Sequence, residues 1–299
     1  MSATPPLDIV IVSYRCEALL RSSLASIEAH APAGTVVHVV DNASGDGTAE
    51  MVRREFPAVR LRVCDRNIGF GAANNLALEE CEAPYVLILN PDTRLPPGAL
   101  DSLLELMEAR AEVGMCGPRL ELEDSTFDHA SRRSFPTPLS ALGHFSGLGR
   151  RAAAGGALAA YRAPAVERGP VEAVNGAFML IRRAALDQVG PFDERYWMYM
   201  EDLDLCYRFA ERGWVTWYEP GVAVLHVKAG TTGPTRTARL HSAFHYGMFR
   251  FYRDHYAPGR NRALNAAVYL GILAKWAIGL LGRGLAATRR TRPGASAQG

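Results

Sequence analysis

The sequence predicts an α/β protein built on a three-layer, Rossmann-like, mostly parallel sheet, with a helical appendage at its C-terminal end. Three observations carry this expectation. Short β-branched runs alternate with helix-period segments through the first third of the chain. The runs over 7–14, 36–40 and 85–89 are nearly continuous in apolar residues, as in strands covered on both faces. Beyond residue 235 the alternation gives way to longer aromatic and apolar stretches. With 299 residues, 48% of them hydrophobic, the chain has ample material for a large core and falls outside the disordered class.

The elements follow in order. Residues 7–14 read as a first strand, and residues 18–31 as a helix with Leu20, Leu24 and Ile27 on one face. Residues 36–40 give a second strand, closed by Asp41-Asn42 and a Ser44-Gly45-Asp46-Gly47 turn before another helix. A strand over 59–63, a small-residue helix over 69–80, a strand over 85–89 and a helix bearing Leu100, Leu103, Leu104 and Met107 continue the βα alternation. Periodicity fades over 121–169, which reads as a mobile or acceptor-side loop region. It resumes with a strand over 174–181, a short helix over 184–189 and a helix over 203–212 broken by Gly213. A sheet domain is therefore expected over 1–235 and an amphipathic helical region over 236–299, with a disordered tail from about residue 288.

Charge and cysteine usage narrow the function. A formal net charge of +2 offers no electrostatic case for nucleic acid as a partner. No acidic residue follows Asp254, whereas Arg260, Arg262, Lys275, Arg283, Arg289, Arg290 and Arg292 do, an asymmetry suited to an anionic membrane surface. Two apolar runs, 263–274 and 276–282, are split by Lys275 and fall short of an uninterrupted spanning segment. An interfacial helix is expected there, with a helix packed on the sheet domain or a homo-oligomer interface as the competing reading. Five scattered cysteines and an N-terminus without a basic, apolar leader point to a reduced cytoplasmic setting, peripheral at the inner membrane face.

Candidate chemistry gathers where strands end. Asn90-Pro91-Asp92-Thr93 follows the run ending at Leu89, and Glu201-Asp202-Leu203-Asp204 follows Tyr196-Trp197-Met198-Tyr199-Met200. A carboxylate at the C-terminal end of a buried strand stands where open α/β sheets bind ligands. Asp92, assisted by Asn90, is expected to hold Mg²⁺ or Mn²⁺ against the charge of a diphosphate, with capping of the turn before Pro96 as the competing reading. His226 offers an imidazole acceptable to Mn²⁺, although local sequence alone favours a hydrogen-bonded structural histidine. Asp202 is the preferred general base, with Glu201 as its neighbour and substitute, while Asp204 and Arg208 have the spacing of a helical ion pair.

Ser13 and Tyr14 close the first strand and Asp41 and Asn42 the second, positions suited either to a base and ribose or to capping the turns that follow. Arg66-Asn67-Ile68-Gly69-Phe70-Gly71-Ala72-Ala73-Asn74 is a glycine-containing turn opening into a helix, with Arg66 directed to phosphate, and it is neither a Walker A loop nor a complete Gly-x-Gly-x-x-Gly fingerprint. Trp197, Tyr199 and Trp217 suit either sugar stacking or packing.

Taken in order, Val12-Ser13-Tyr14, Val40-Asp41-Asn42-Ala43-Ser44, the Arg66 to Gly71 turn, Leu89-Asn90-Pro91-Asp92-Thr93, Asn175-Gly176-Ala177-Phe178, and Phe192-Asp193-Glu194 through Asp204 resemble family 2 glycosyltransferases, particularly rhamnosyltransferase-like bacterial members. The resemblance runs from Ile9 to about His226 and implies a GT-A fold, a nucleotide-sugar donor and inversion by direct displacement. It also implies roles: Asp41 for the nucleotide, Asp92 for the metal in an Asp-x-Asp element whose first acid is here Asn90, Asp202 as acceptor base, His226 as a late metal ligand, and Asn175 at the donor-acceptor cleft. The family points to a dTDP- or UDP-sugar donor and to a glycan acceptor on a polyprenyl lipid for cell-wall or surface polysaccharide. A sugar-nucleotide nucleotidyltransferase and a noncatalytic glycan-binding scaffold are the alternatives, and the missing Lys-containing triphosphate loop weighs against the first.

Overall fold

The computed structural model describes residues 6–136, 167–227 and 237–290, with side chains of the last helix described as far as Arg283. Its first compact unit takes in residues up to Trp197 and Glu201–Pro234, and its second takes in Met198–Met200 and the residues from Thr235.

The first unit is built from β1 (Asp8–Ser13), α1 (Glu17–His30), β2 (Val36–Asp41), α2 (Thr48–Glu55), β3 (Arg60–Val63), α3 (Phe70–Leu78), β4 (Tyr85–Leu89), β5 (Thr93–Arg94), α4 (Ala99–Ala109) and β6 (Val113–Glu121). Then come β7 (Arg132–Arg133), β8 (Gly169–Val171), β9 (Ala173–Val174), β10 (Phe178–Arg182), α5 (Arg183–Val189), α6 (Glu201–Glu211) and β11 (Val215–His226). The main sheet runs β3-β2-β1-β4-β10-β6-β11-β5, with β8 paired to β11, and β7 and β9 form a separate ribbon. Strands β1, β2, β3 and β4 are parallel, and β10 enters antiparallel between β4 and β6. Strand β11 runs parallel to β6.

Every residue of β1 and β4 is buried, which explains why these strands read as continuous apolar runs. Alternate residues serve two faces. Ile9, Ile11, Val39, Leu87 and Leu89 join Leu20, Leu24 and Ile27 of α1 and Leu100, Leu103 and Met107 of α4 in one core cluster. Val10, Val40, Val86 and Ile88 are equally buried but lie outside that cluster, as the period of two requires for a sheet covered on both sides.

Two segments depart from expectation. The strand expected over 174–181 is two strands with a turn between them, in which the Asn175 side chain accepts a hydrogen bond from the Ala177 N–H and the Asn175 carbonyl accepts one from Phe178. The loop expected over 121–169 is ordered in its first part. Asp128 and Ser131 are buried, Glu121 bridges to Phe127, and residues 129–131 form a 3₁₀ turn leading into β7. The rest of that segment, 137–166, lies outside the described residues, as does the expected tail beyond residue 290.

The second unit contains α7 (Ala238–Phe251), a π turn over Tyr252–Tyr256 and α8 (Arg262–Arg290). Thr237 caps α7 by accepting the Leu240 N–H. The two apolar runs expected on either side of Lys275 form one uninterrupted helix. Trp276 ties it to α7, its indole N–H donating to the Ser242 hydroxyl and its carbonyl meeting a His241 ring nitrogen at 3.1 Å. The opposite face is apolar and open, with Leu270 64% and Ile278 and Leu281 69% exposed. Among the described residues, Arg262–Arg283 is the stretch long and apolar enough to cross a membrane, with 22 residues at mean hydropathy 1.6.

Gly69 shows how tightly the first unit joins its loops. It sits at φ +97, and a Cβ there would overlap the Trp197 carbonyl oxygen, which accepts the Phe70 N–H at 3.0 Å. Gly45 also has positive φ, at +64, but has open space around it. Replacement of Gly45 by Ala is therefore expected to cost about 1 kcal/mol from backbone strain alone, and Gly69→Ala about 2 kcal/mol or more. Chemical denaturation of both variants measures this, and equal losses would show that the Trp197 contact adds nothing.

Candidate active site

Strand polarity places the ligand-facing residues on one edge. Parallel β1, β2 and β4 deliver Ser13, Asp41 and the Asn90-Pro91-Asp92 turn to their C-terminal ends. Antiparallel β10 begins where β4 ends, with Phe178 paired to Leu89, so the Asn175-Gly176-Ala177 turn lies on the same edge. Strand β11 ends there too, with His226 paired to Thr93.

At the ends of β1 and β2, Asp41 is buried and its Oδ1 accepts the Ser44 N–H at 3.1 Å. Both strand ends turn sharply through left-handed residues, Arg15 (φ 53) and Ala43 (φ 64), and are tied together by the Arg15 N–H donating to the Ser44 hydroxyl at 3.0 Å. Ser13 is buried against Cys16, and Tyr14 is half-buried with the Arg15 guanidinium over its ring. Asn42 holds the neighbouring loop: its amide donates to the Gly69 carbonyl at 3.0 Å and its Oδ1 accepts the Ile68 N–H at 2.9 Å. Asn67 accepts the Gly69 N–H, and Arg66 is exposed. Asn74 is fully buried, donates to the Phe70 carbonyl and has no partner on Oδ1.

The Asp92 side is a chain of charged groups. Asp92 is buried, and its Oδ1 lies 3.5 Å from His226 Nε2 without a hydrogen-bond partner. His226 Nδ1 lies 3.2 Å from Asp128 Oδ2. Burial alone would depress the imidazole, but the two carboxylates outweigh it and push His226 up to about 9. The half-buried Asn90 is fixed by its backbone, its N–H donating to the Ala177 carbonyl and its own carbonyl accepting from Thr93. A buried carboxylate oxygen without a hydrogen-bond partner, 3.5 Å from an imidazole nitrogen, fits a divalent cation of the Mn²⁺ type.

The Glu201-Asp202 pair opens α6. The chain enters it through two left-handed residues, Tyr199 (φ 71) and Met200 (φ 74), a strained approach of the kind that collects at functional sites. Asp202 accepts from the Gly176 N–H at 3.0 Å, from its neighbour Leu203 N–H at 2.8 Å, and from the Arg133 guanidinium, which also donates to the Val174 carbonyl. Its side chain retains 12% exposure. A Cβ on Gly176 would press on Asp202 at 3.3 Å. Glu201 is buried with Oε2 unpartnered, and burial together with the Asp202 charge pushes it up to about 8. Asp204 and Arg208 form the expected ion pair at 2.8 Å.

Asp128 and Arg133 are the residues that sequence reasoning missed. Both lie in the segment without periodicity, and neither carries a motif, although Asp128 followed by a polar turn has the signature of a cap. Trp217 belongs to the hydrophobic core with Arg110 over its ring, so it packs. A second acidic and histidine-containing cluster, Asp8, His38 and Cys81, is held shut by hydrogen bonds to Asp8 from His38 and from the Glu82 and Ala83 N–H groups, and burial keeps Cys81 a thiol, pushed up to about 12.

A mixed, mostly parallel sheet of this order, with acids gathered on one edge, is the architecture of the GT-A fold. Two solved structures share this fold: the mannosyltransferase PcManGT from Pyrobaculum calidifontis in complex with GDP-Man and Mn²⁺, with a TM-score of 0.57, 19% identity and coverage of 98% of this chain and 77% of that one, and GalNAc-T7 with UDP, GalNAc and Mn²⁺, with a TM-score of 0.62, 13% identity and coverage of 86% and 49%. The chain belongs to glycosyltransferase like family 2, whose family model matches residues 5–246. An N-acetylglucosaminyl-diphospho-decaprenol L-rhamnosyltransferase of Mycobacterium tuberculosis is 33% identical over 267 residues, covering 85% of this chain and 86% of the relative. The rhamnosyltransferase WbbL of Escherichia coli is 29% identical over 167 residues, covering 53% of this chain and 60% of the relative.

Both raised groups hold protons more tightly in the folded state than in the unfolded chain. Their stabilising contribution is complete below the unfolded values and is lost as pH rises, over about 4.5 to 8 for Glu201 and about 6.5 to 9 for His226. The metal-free protein is therefore expected to lose stability as pH rises from 5 to 9, by up to about 1.4 kcal/mol per pH unit for each group. Urea denaturation across this range should show His226→Gln flattening the upper part and Glu201→Gln the lower part. Unchanged slopes would refute the assignment.

Proposed function

We propose that this glycosyltransferase moves a sugar, rhamnose being the first candidate, from a dTDP- or UDP-sugar to a hydroxyl of a polyprenyl-diphosphate-linked glycan acceptor for cell-wall or surface polysaccharide. The observation that carries the reading is the single edge on which the Asp92-His226 pair and Asp202 stand, with the left-handed strand ends of β1 and β2 beside them. The L-rhamnosyltransferase relative, alike over most of both chains, supports the choice of sugar and of lipid acceptor.

The acceptor hydroxyl oxygen attacks the anomeric carbon, the bond from that carbon to the diphosphate oxygen breaks, and nucleoside diphosphate leaves with inversion. Asp202 takes the hydroxyl proton. Three donors orient its carboxylate, while its residual exposure leaves it within reach of a substrate. Asp92 and His226 are the residues that would hold Mg²⁺ or Mn²⁺, which neutralises charge on the departing diphosphate. Asp41 serves the base or ribose, and Asn175 lies in the turn that carries Gly176 to the base.

Donor panels including dTDP-rhamnose and UDP-sugars, with synthetic polyprenyl diphosphate glycans as acceptors, should give acceptor-dependent nucleoside diphosphate release. Asp202→Ala is expected to lower kcat by about 10²–10⁴-fold and Asp92→Ala to abolish metal-stimulated turnover. Pyrophosphate release from a nucleoside triphosphate would move the assignment to nucleotidyl transfer. Absence of turnover from every donor in a folded protein would favour a glycan-binding scaffold.

We further propose that α8 lies in the interface of the cytoplasmic membrane face. One of its sides is bound by polar groups of α7, while Leu264, Leu270, Leu273, Ile278 and Leu281 face outward between basic residues. Flotation with anionic vesicles should carry the full chain upward, and chains ending at Ala257 or bearing Leu270→Asn with Ile278→Asn should stay behind. Release of the full chain by alkaline carbonate is expected. Resistance to it would make α8 a spanning helix, and failure of the wild type to float would remove the proposal.

A further inference from the structure

We infer that Asp128 is a positioning residue for His226, fixing which ring nitrogen the imidazole presents toward Asp92. This rests on the reading of Asp92 and His226 as the metal-holding pair. An imidazole can bind a cation through either nitrogen, and the partner of the other nitrogen decides which one is left for it. Here Asp128 Oδ2 faces Nδ1 at 3.2 Å, and Nε2 is the atom turned to Asp92. A carboxylate only accepts, so when the ring gives up a proton to become a ligand the one beside Asp128 stays on Nδ1, and Nε2 is the nitrogen freed on the Asp92 side.

Asp128 is built to hold this orientation. Its side chain is fully buried, and its other oxygen accepts the Ala130 N–H at 2.9 Å. Its backbone is stitched to β6: its N–H donates to the Leu120 carbonyl, and its carbonyl accepts the Ser131 hydroxyl, which in turn accepts the Leu120 N–H. Strand β6 runs beside β11, with Leu120 opposite Val224 and Glu121 opposite Leu225, so the turn is anchored next to the strand that carries His226. A turn cap needs one acceptor oxygen. Asp128 presents two, one to Ala130 and one to His226.

Asp128→Asn separates the two roles. An amide of the same size has one acceptor oxygen for two donors, so either the cap or the histidine must face an NH₂ group. With Mn²⁺ as the probe, titrated by electron paramagnetic resonance in the presence of UDP or dTDP, Asp128→Asn and Asp128→Ala should each weaken binding by about 10–100-fold. His226→Gln serves as the reference for loss of the ligand itself. Wild-type affinity in Asp128→Asn, alongside lost affinity in His226→Gln, would overturn the role of Asp128 alone. Equal affinity in wild type and His226→Gln, or no binding by the wild type, would overturn the metal reading and this inference with it. The unmutated protein gives a second readout that does not depend on a variant folding. With Cd²⁺ bound, ¹⁵N resonances should show His226 protonated at Nδ1, and protonation at Nε2 would overturn the inference.

Discussion

Burying carboxylates along one edge of a sheet is the constraint from which most of this site follows. An ionised carboxylate taken out of water needs hydrogen bonds or opposite charge to remain there. Asp41 has the Ser44 N–H, Asp128 has Ala130 and His226, and Asp202 has Gly176, Leu203 and Arg133. The ordered turn after β6, the β7 to β9 ribbon and the turn before β10 exist in the form they do because each supplies one of these donors. Asp92 Oδ1 and Glu201 Oε2 are the buried carboxylate oxygens without a hydrogen-bond partner among the described residues. Glu201 meets the constraint by holding its proton to about pH 8, whereas Asp92 has an imidazole nitrogen beside it. The group whose deficit is not met internally is the one suited to an external cation.

Backbone geometry is bent to the same end. Left-handed conformations at Arg15 and Ala43 turn the chain just after β1 and β2, and Tyr199 and Met200 precede α6 in the same conformation. None of these residues is glycine, so each carries strain that surrounding contacts must offset. At Gly69 no such offset is available, because the Trp197 carbonyl occupies the space a Cβ needs. That contact joins the glycine turn to the segment leading into the acids. The two motifs that looked separate in the sequence are one unit in space.

The sheet and its helices were legible because strands buried on both faces produce runs that survive in any context, as at Tyr85 to Leu89. Candidate acids were legible for a related reason: strand ends are places where polar residues interrupt those runs. What could not be read was partnership. Asp92 and His226 meet because β5 and β11 pair, which no local pattern announces and which only the family resemblance implied. Asp128 and Arg133 sit in a segment whose ordering depends on donors and acceptors elsewhere, so it read as a loop. Asn42 is a polar residue at a strand end whose side-chain amide is engaged by the Ile68 and Gly69 backbone, a contact no local pattern announces either. The division at Lys275 came from treating charge as a break, although a lysine stem lies easily along an exposed helix.

The place of Asn90 follows from charge. The Asp-x-Asp element of the family carries an acid where this chain carries an amide, which by itself weakens the site for a cation. Asp128 supplies a carboxylate from the other side of His226, buried and fixed. A divalent cation, the carboxylates of Asp92 and Asp128 and a neutral imidazole then sum to zero. A third carboxylate at residue 90 would leave the pocket negative before a diphosphate arrived, and in a low-dielectric edge each uncompensated charge of that sign repels the donor.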